Sequence, residues 1–168
     1  MNDLRLITGG FFILSNGIIL KVSSKLFVLL NDLKNIMNYT ICYTSKAAPD
    51  IQMETLEQIF ETTKKNNHDS GIQGILLYGM NTFLQVLEGD KEILIKLYED
   101  VISKDPRHTD IYEIINRPST MSVFSTYYSK FNIVTTSEEL DRIKTYLKQH
   151  QINSTAGKIN RLLNPFLL

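Results

Sequence analysis

The segment Phe83 to Gly89, FLQVLEG, sets a primary amide, Gln85, in the middle of a run that is otherwise apolar as far as Glu88. A run of this length and character reads as a strand apolar on both faces. A buried amide left without partners costs on the order of 1–3 kcal/mol, so any fold adopted by this chain has to bring polar groups to Gln85 from other segments.

Composition narrows the classes those groups could serve. The chain has 168 residues, 43% of them hydrophobic, and no formal net charge, which suits a compact domain with its own core. A pI near 6.8 and the lack of a concentrated Lys/Arg run argue against nucleic acid or an anionic membrane surface as the main partner. Cys42 is the one cysteine, so an intramolecular disulfide is impossible and a reducing, cytoplasmic setting is the simplest reading. Cys42 itself reads as a small buried hydrophobe. His68, His108 and His150 are far apart without metal-ligand spacing, and no metal site is expected. Nothing resembles a Ser/His/Asp set, a reactive Cys/His pair or a Gly-rich phosphate loop, and Glu88 has no obvious carboxylate partner, so the chain does not read as an enzyme.

Residues 1–36 differ from the rest. The stretch from Phe11 to Leu30 is apolar enough to resemble a membrane span, yet Lys21 and Lys25 interrupt it, with Ser15, Asn16, Ser23 and Ser24. The preferred reading is an upstream in-frame extension, with the working protein starting at Met37. An anchoring helix over residues 11–30, or an extra packing element, is the alternative, and mass spectrometry of the native N-terminus separates them.

From Met37 onward the pattern is regular. Tyr39 to Thr44 reads as a strand, Met53 to His68 as a helix with Leu56, Ile59, Phe60 and Thr63 on one side, and Ile72 to Tyr78 with Thr82 to Glu88 as a hairpin. Lys91 to Ser103 repeats the helical spacing, with Ile93, Leu94, Leu97, Tyr98 and Val101 inward. Ile111 to Ile115 and Thr126 to Ile133 supply two further strands. The order predicts an α+β fold, a ferredoxin-like βαββαββ sandwich with both helices on one face of a mixed sheet over residues 37–133. In residues 134–168, Thr136 and Glu139 form a capping box before a third helix carrying Leu140, Ile143 and Leu147, which is expected to cover the sheet's second face. The tail containing Ile159, Leu162 and Leu163 reads as one or two more helical turns.

Polar residues can be placed on this frame. At 100° per residue from Leu56, Phe60 falls at about 40°, Thr63 at about −20°, Asn66 at about −80° and Asn67 at about 20°. Asn67 thus lies within the apolar stripe, although an Asn that merely ends the helix is an equally simple account. Tyr43 shares a face with Tyr39 and Ile41, and Gln85 with Phe83 and Leu87. If both faces look toward the helices, Tyr43, Gln85, Asn66 and Asn67 converge in one apolar slot, a site for a ring that accepts hydrogen bonds.

These residues resemble those of a BLUF domain, the flavin-binding blue-light sensor module, from Tyr39 to Phe131. The matching pieces are YTSKAAPD at the first strand and turn, Asn66-Asn67 at the end of the first helix, GIQGILLYGMNTFLQVLEGD across the hairpin, and KDPRHTDI before the fourth strand. The resemblance implies a flavin, FAD in the usual case and FMN otherwise, lying between the two helices over the sheet. Asn67 would bond the pyrimidine edge of the ring with Asn66 beside it, while Ile59, Phe60 and Ile93 would form apolar walls. Arg107 and His108 would make weaker contacts, although Arg107 also reads as a surface charge near a helix end. Gln85 would bridge the ring and the Tyr43 hydroxyl. In light, Tyr43 would give up an electron and a proton along Gln85, whose amide would return with donor and acceptor exchanged.

Two positions depart from the family pattern. Where relatives carry Trp-x-Met on the last strand beside the glutamine, this chain has Tyr127-Tyr128-Ser129, and where some place an arginine it has Asp100. Flavin binding is expected to survive, with Tyr127 filling part of the indole's volume. A competing reading is a ferredoxin-like interaction or small-ligand module without photochemistry, told apart by colour. Signalling is expected to pass to an unidentified protein partner or through a homo-oligomer, with the capped helix and apolar tail as contact surface. The simpler account is that the helix only shields the sheet.

Overall fold

A computed structural model of the chain describes residues 5–7, 11–13, 19–21, 38–127, 129–150 and 154–166. The chain divides into two units, Met1–Met37 and Asn38–Leu168. In the first, β1 (Arg5–Ile7), β2 (Phe11–Ile13) and β3 (Ile19–Lys21) pair antiparallel in chain order. This corrects the alternative of an anchoring helix over residues 11–30, because Phe11–Ile13 and Ile19–Lys21 are extended and Phe11 lies opposite Lys21. Residues 22–30 lie outside the described residues. Among the described residues no helix is long and apolar enough to cross a membrane.

The second unit runs β4 (Asn38–Ala47), α1 (Met53–Asp69), β5 (Gln73–Gly79), β6 (Thr82–Gly89), α2 (Lys91–Asp100), a 3-10 turn (Ile102–Lys104), β7 (His108–Ser119), β8 (Phe131–Val134), α3 (Ser137–Gln149) and α4 (Ser154–Leu163). The sheet order is β7, β4, β6, β5, β8, with β8 parallel to β5 and every other pair antiparallel. This is the α+β, ferredoxin-like βαββαββ arrangement that the sequence order implies.

Alternation along β6 builds two cores. Phe83, Gln85 and Leu87 turn to one face; Leu84, Val86 and Glu88 turn to the other, and all six are buried. On the first face Ile41, Tyr43, Leu76, Phe83 and Leu87 pack with Leu56 of α1 and Leu94 of α2. On the second, Cys42, Ile75, Leu77, Leu84 and Val86 pack with Ile143 and Leu147 of α3 and Ile159 and Leu163 of α4. Each such side chain contributes about 1.5–3 kcal/mol of burial. Layers on both sides explain why β5 and β6 are apolar at nearly every position. The capping box at Thr136 and Glu139 is present, and α3 covers the second face as expected. The apolar residues proposed as an oligomer contact, Leu140, Ile143, Leu147, Ile159 and Leu163, are therefore buried within the chain itself. The tail forms ten helical residues, more than the one or two turns expected.

The joins between elements depart from expectation. β7 runs from His108 to Ser119 instead of 111–115, because register shifts at Cys42/Tyr43 and Thr44/Lys46 break its alternation, with Asp110 at φ 50°. As an edge strand it also tolerates Pro118. β8 begins at Phe131 instead of Thr126, since residues 120–127 fold into bends and turns over the second face. β5 passes so close to β6 that a Cβ on Gly74 would sit 1.9 Å from the Val86 carbonyl oxygen, so only glycine fits. The β5–β6 hairpin turns on Met80 and Asn81, both at positive φ, as a two-residue loop matched to strand twist requires.

Candidate functional site

On the α1 and α2 face the packing is incomplete. A cleft of about 640 Å³, part of it open to solvent, lies between the helices and the sheet. Its floor is Tyr43, Leu76, Phe83 and Gln85. Ile59, Thr62, Thr63, Asn66 and Asn67 line it from α1, Leu97, Val101 and Ile102 from the α2 side, and Asp105, Arg107 and His108 from the segment entering β7.

Strand register creates the central pair. Tyr43 of β4 sits directly opposite Gln85 of β6, so their side chains share a face and touch. The Tyr43 hydroxyl donates a hydrogen bond to Gln85 Oε1. With its oxygen engaged, the amide keeps Nε2 as donor for another partner. Burial, followed by the neighbouring Tyr98 and Asp105, holds the Tyr43 phenol well above its ordinary pKa, so it stays a donor at any ordinary pH. The Tyr98 ring meets the Tyr43 ring edge-on at 5.7 Å.

Asn67 supplies the second polar group. Within the last turn of α1 it is 2% exposed, and its backbone carbonyl accepts from the Ile72 amide at 2.8 Å, tying the helix end to the residue that leads into β5. Its side-chain Nδ2 is buried without a partner. An orphaned donor of this kind costs about 1–3 kcal/mol unless an acceptor reaches it. Asn66 lines the cleft from an exposed position.

The rim is charged but internally paired. Arg107 donates through Nε to Asp105 Oδ1 at 2.9 Å and through Nη2 to Oδ2 at 2.6 Å, and this guanidinium holds the Asp105 carboxyl below its usual range. His108 Nδ1 lies 2.9 Å from Ser45 Oγ, and burial lowers its pKa, keeping the ring neutral.

Of the residues singled out from the sequence, the cleft brings together Tyr43, Ile59, Asn66, Asn67, Gln85, Arg107 and His108. Phe60 and Ile93 are not among its lining: Phe60 packs on Tyr78 at 6.4 Å and Ile93 is 43% exposed. Leu94 is buried and Leu97 lines the cleft, as their inward placement predicts, while Ile93, placed inward with them, turns outward. Ile102 was missed because the helix ends at Asp100 and a 3-10 turn delivers it to the cleft. Leu76 was legible in principle, since the hairpin register sets it opposite Gln85.

The departing positions also fall elsewhere than expected. Tyr127 and Ser129 precede β8, which is separated from Gln85 by β5. The Tyr127 ring packs on Tyr146 at 4.8 Å, in the core of the opposite face, and Ser129 Oγ donates to the Phe131 carbonyl at 3.2 Å. Asp100 pairs with Lys104 on the surface at 3.1 Å.

A buried phenol–amide pair facing an orphaned asparagine amide can now be set beside known proteins. The family profile described as "Sensors of blue-light using FAD" matches residues 39–130, more than half of the chain. The chain belongs to the BLUF family. It is 33% identical over 101 residues to the photoactivated adenylate cyclase subunit beta of Euglena gracilis, covering 60% of this chain and 11% of that one. It is also 33% identical over 76 residues to the blue light- and temperature-regulated antirepressor BluF of Escherichia coli K12, covering 45% of this chain and 19% of that protein. The chain thus spans a small part of these relatives' length. The solved BlrP1 BLUF domain superposes with a TM-score of 0.61 at 26% identity, covering 76% of this chain and 90% of that one. The photo-activated state of BlsA gives 0.57 at 26% identity, covering 76% and 96%. BLUF domains are flavin-binding sensors of blue light, and the residues here fit such a ring: an apolar cleft, a buried donor awaiting an acceptor at Asn67, and an amide at Gln85 with one end free.

Proposed function

We propose that this protein is a blue-light photoreceptor in which Gln85 and Tyr43 are the switch and Asn67 the principal anchor of the flavin, with FAD as the cofactor bound. The observation that carries this reading is the Tyr43–Gln85 hydrogen bond on the floor of a cleft whose other buried amide, Asn67 Nδ2, has no partner in the chain. Asn67 donates from Nδ2 to a ring carbonyl, and Asn66 flanks it at the mouth. Ile59, Leu97 and Ile102 exclude water from the ring faces, while Arg107 and His108 form the rim. Phe60 and Ile93, outside the lining, take no part in contact.

When bound, the flavin supplies a chromophore that absorbs blue light and, excited, accepts an electron. Tyr43, kept protonated by its burial, is the group beside Gln85 that can give up an electron together with the proton at its hydroxyl oxygen. Gln85 Oε1, already hydrogen-bonded to that proton, receives it first. The two ends of the amide are nearly equal in shape and opposite in hydrogen-bonding sense. Rotation or tautomerisation of Gln85 therefore exchanges donor for acceptor without a lasting covalent change or a repacked core. FAD is favoured over FMN by the family description alone.

The chain is proposed to act as a sensor in the cytoplasm, passing its signal to a protein partner and carrying out no catalysis itself. Support comes from the relatives: the matched part is a small fraction of the cyclase. Purified protein should be yellow, release FAD on denaturation and shift its absorption reversibly to the red in blue light. Gln85→Leu and Tyr43→Phe should each keep the flavin and lose the shift. A colourless protein that takes up neither FAD nor FMN, or a shift retained in Gln85→Leu, overturns the proposal.

A further inference from the structure

Three residues beyond Gln85 on the same strand, and on the opposite face, lies a carboxylate that the photochemistry does not use. Glu88 is fully buried, and among the described residues no salt bridge includes it. Its partners come from two places. Thr40, paired with it across β4 and β6, donates from Oγ1 to Oε1 at 3.4 Å. The segment between β7 and β8 supplies the rest: the Val123 amide donates to Oε1 at 3.0 Å, the Phe124 amide to Oε2 at 3.0 Å, and the Ser122 hydroxyl, 2.7 Å from Oε2, shares its one proton between it and Gln73 Oε1 at 2.6 Å. A buried carboxylate is tolerated only when so provided with donors, and burial still pushes its pKa up against them.

The same segment is gripped from its other side by α3. The Tyr146 hydroxyl donates to the Val123 carbonyl at 2.7 Å and lies 2.9 Å from Thr126 Oγ1. The Tyr146 ring packs against Phe124 at 6.2 Å and Tyr127 at 4.8 Å, and stacks on His150 at 4.2 Å. Residues 122–127 are therefore held between a buried anion on the strand that carries Gln85 and one tyrosine of the capping helix. In this chain they are turns and not strand, so these side-chain bonds take the place of ladder bonds in fixing their position.

We propose that Glu88 is a positioning residue whose carboxylate clamps the 122–127 turns to β6, and that this clamp with Tyr146 is the connection by which a change at Gln85 reaches α3. The transmission half rests on the reading of the cleft as a light-switched flavin site; the clamp half does not. A shift of β6 accompanying the Gln85 rearrangement moves Glu88 with it, because the two share one strand. The Val123 and Phe124 amides then follow the carboxylate, and Tyr146 follows the Val123 carbonyl.

The test is hydrogen exchange by mass spectrometry on the flavin-loaded full chain, in the dark and under blue light, for wild type, Glu88→Gln and Tyr146→Phe. Glutamine keeps the volume but sets an N–H2 end against the amide donors. Dark exchange over residues 119–127 should rise roughly tenfold or more in Glu88→Gln, as expected for loss of bonds to a charged acceptor. Wild type should show a light-minus-dark difference over residues 137–149. Both variants should lose most of it while keeping the red shift. A merely structural role for Glu88 would raise the dark exchange and leave the light-dependent difference intact, which overturns the transmission half. Unchanged dark exchange over residues 119–127 overturns the clamp. Tyr146→Phe leaves Glu88 untouched and serves if Glu88→Gln does not fold. A wild-type protein without a red shift refutes the flavin reading and the transmission with it, while the dark comparison still decides the clamp.

Discussion

The two faces of the sheet treat buried polar groups in opposite ways, and β6 shows the contrast within four residues. Glu88, on the α3 and α4 side, has its donors provided by the chain at 2.7–3.4 Å. Gln85, on the α1 and α2 side, has Tyr43 on one end of its amide, and the nearby Asn67 has an orphaned Nδ2. Each face buries apolar side chains to a similar degree, so hydrophobicity does not distinguish them. What distinguishes them around β6 is polar completeness: the face at Glu88 is complete and structural, and the face at Gln85 and Asn67 is incomplete and shaped for a ligand.

Substitutions on the two faces should therefore separate stability from binding. The largest effect is expected on the complete face. Leu84→Ala, at a fully buried site, should cost about 2–5 kcal/mol in urea unfolding. The flavin affinity of the remaining folded protein should be unchanged. On the incomplete face the pattern should invert. Asn67→Ala should leave the stability of the flavin-free protein within about 1 kcal/mol and weaken flavin binding by about 1–3 kcal/mol, measured by titration of the flavin-free protein. A large loss of stability in flavin-free Asn67→Ala would show that the chain itself satisfies that amide and would erase the contrast.

How much of this was readable in the sequence follows the same division. Gln85 stood out because one amide in an apolar run demands partners, and Tyr43 and Asn67 could be placed by strand and helix periodicity. Those positions depend on local geometry, which the sequence encodes directly. Ile93 was placed inward and Ile102 was not named, because both depend on where α2 stops and on its rotation, which tertiary packing sets. Tyr127 and Ser129 were misplaced for a related reason. Their aromatic and small residues read as strand, but the segment leading to them bonds through Val123 and Phe124 to Glu88, far back in the chain, and no local pattern reveals that.

Two smaller effects sharpen the picture away from the cleft and at its rim. Met80 is held at φ 50° in the β5–β6 turn, a conformation that disfavours side chains by about 1–2 kcal/mol. Met80→Gly should recover about 1 kcal/mol in thermal or urea unfolding, offset in part by backbone entropy. The smallest effect is the pH dependence at His108. Burial lowers its pKa in the folded chain below the ordinary 6.5, so between the two values the unfolded chain binds more protons and stability rises with pH. Its contribution is present above about 6.5 and is lost as pH falls through the folded value. The melting temperature should therefore drop more steeply on acidification in wild type than in His108→Asn. Parallel curves would show that the imidazole stays as exposed as in the unfolded chain.

The central claim is that light leaves the Gln85 amide offering the flavin a different hydrogen bond. The light-minus-dark infrared spectrum of the flavin-loaded protein tests it most directly. Wild type should show a flavin carbonyl stretch moved to lower frequency in light and recovering in the dark, and Gln85→Leu should show no such band. An unmoved carbonyl in wild type, or the same displacement in Gln85→Leu, would contradict the account.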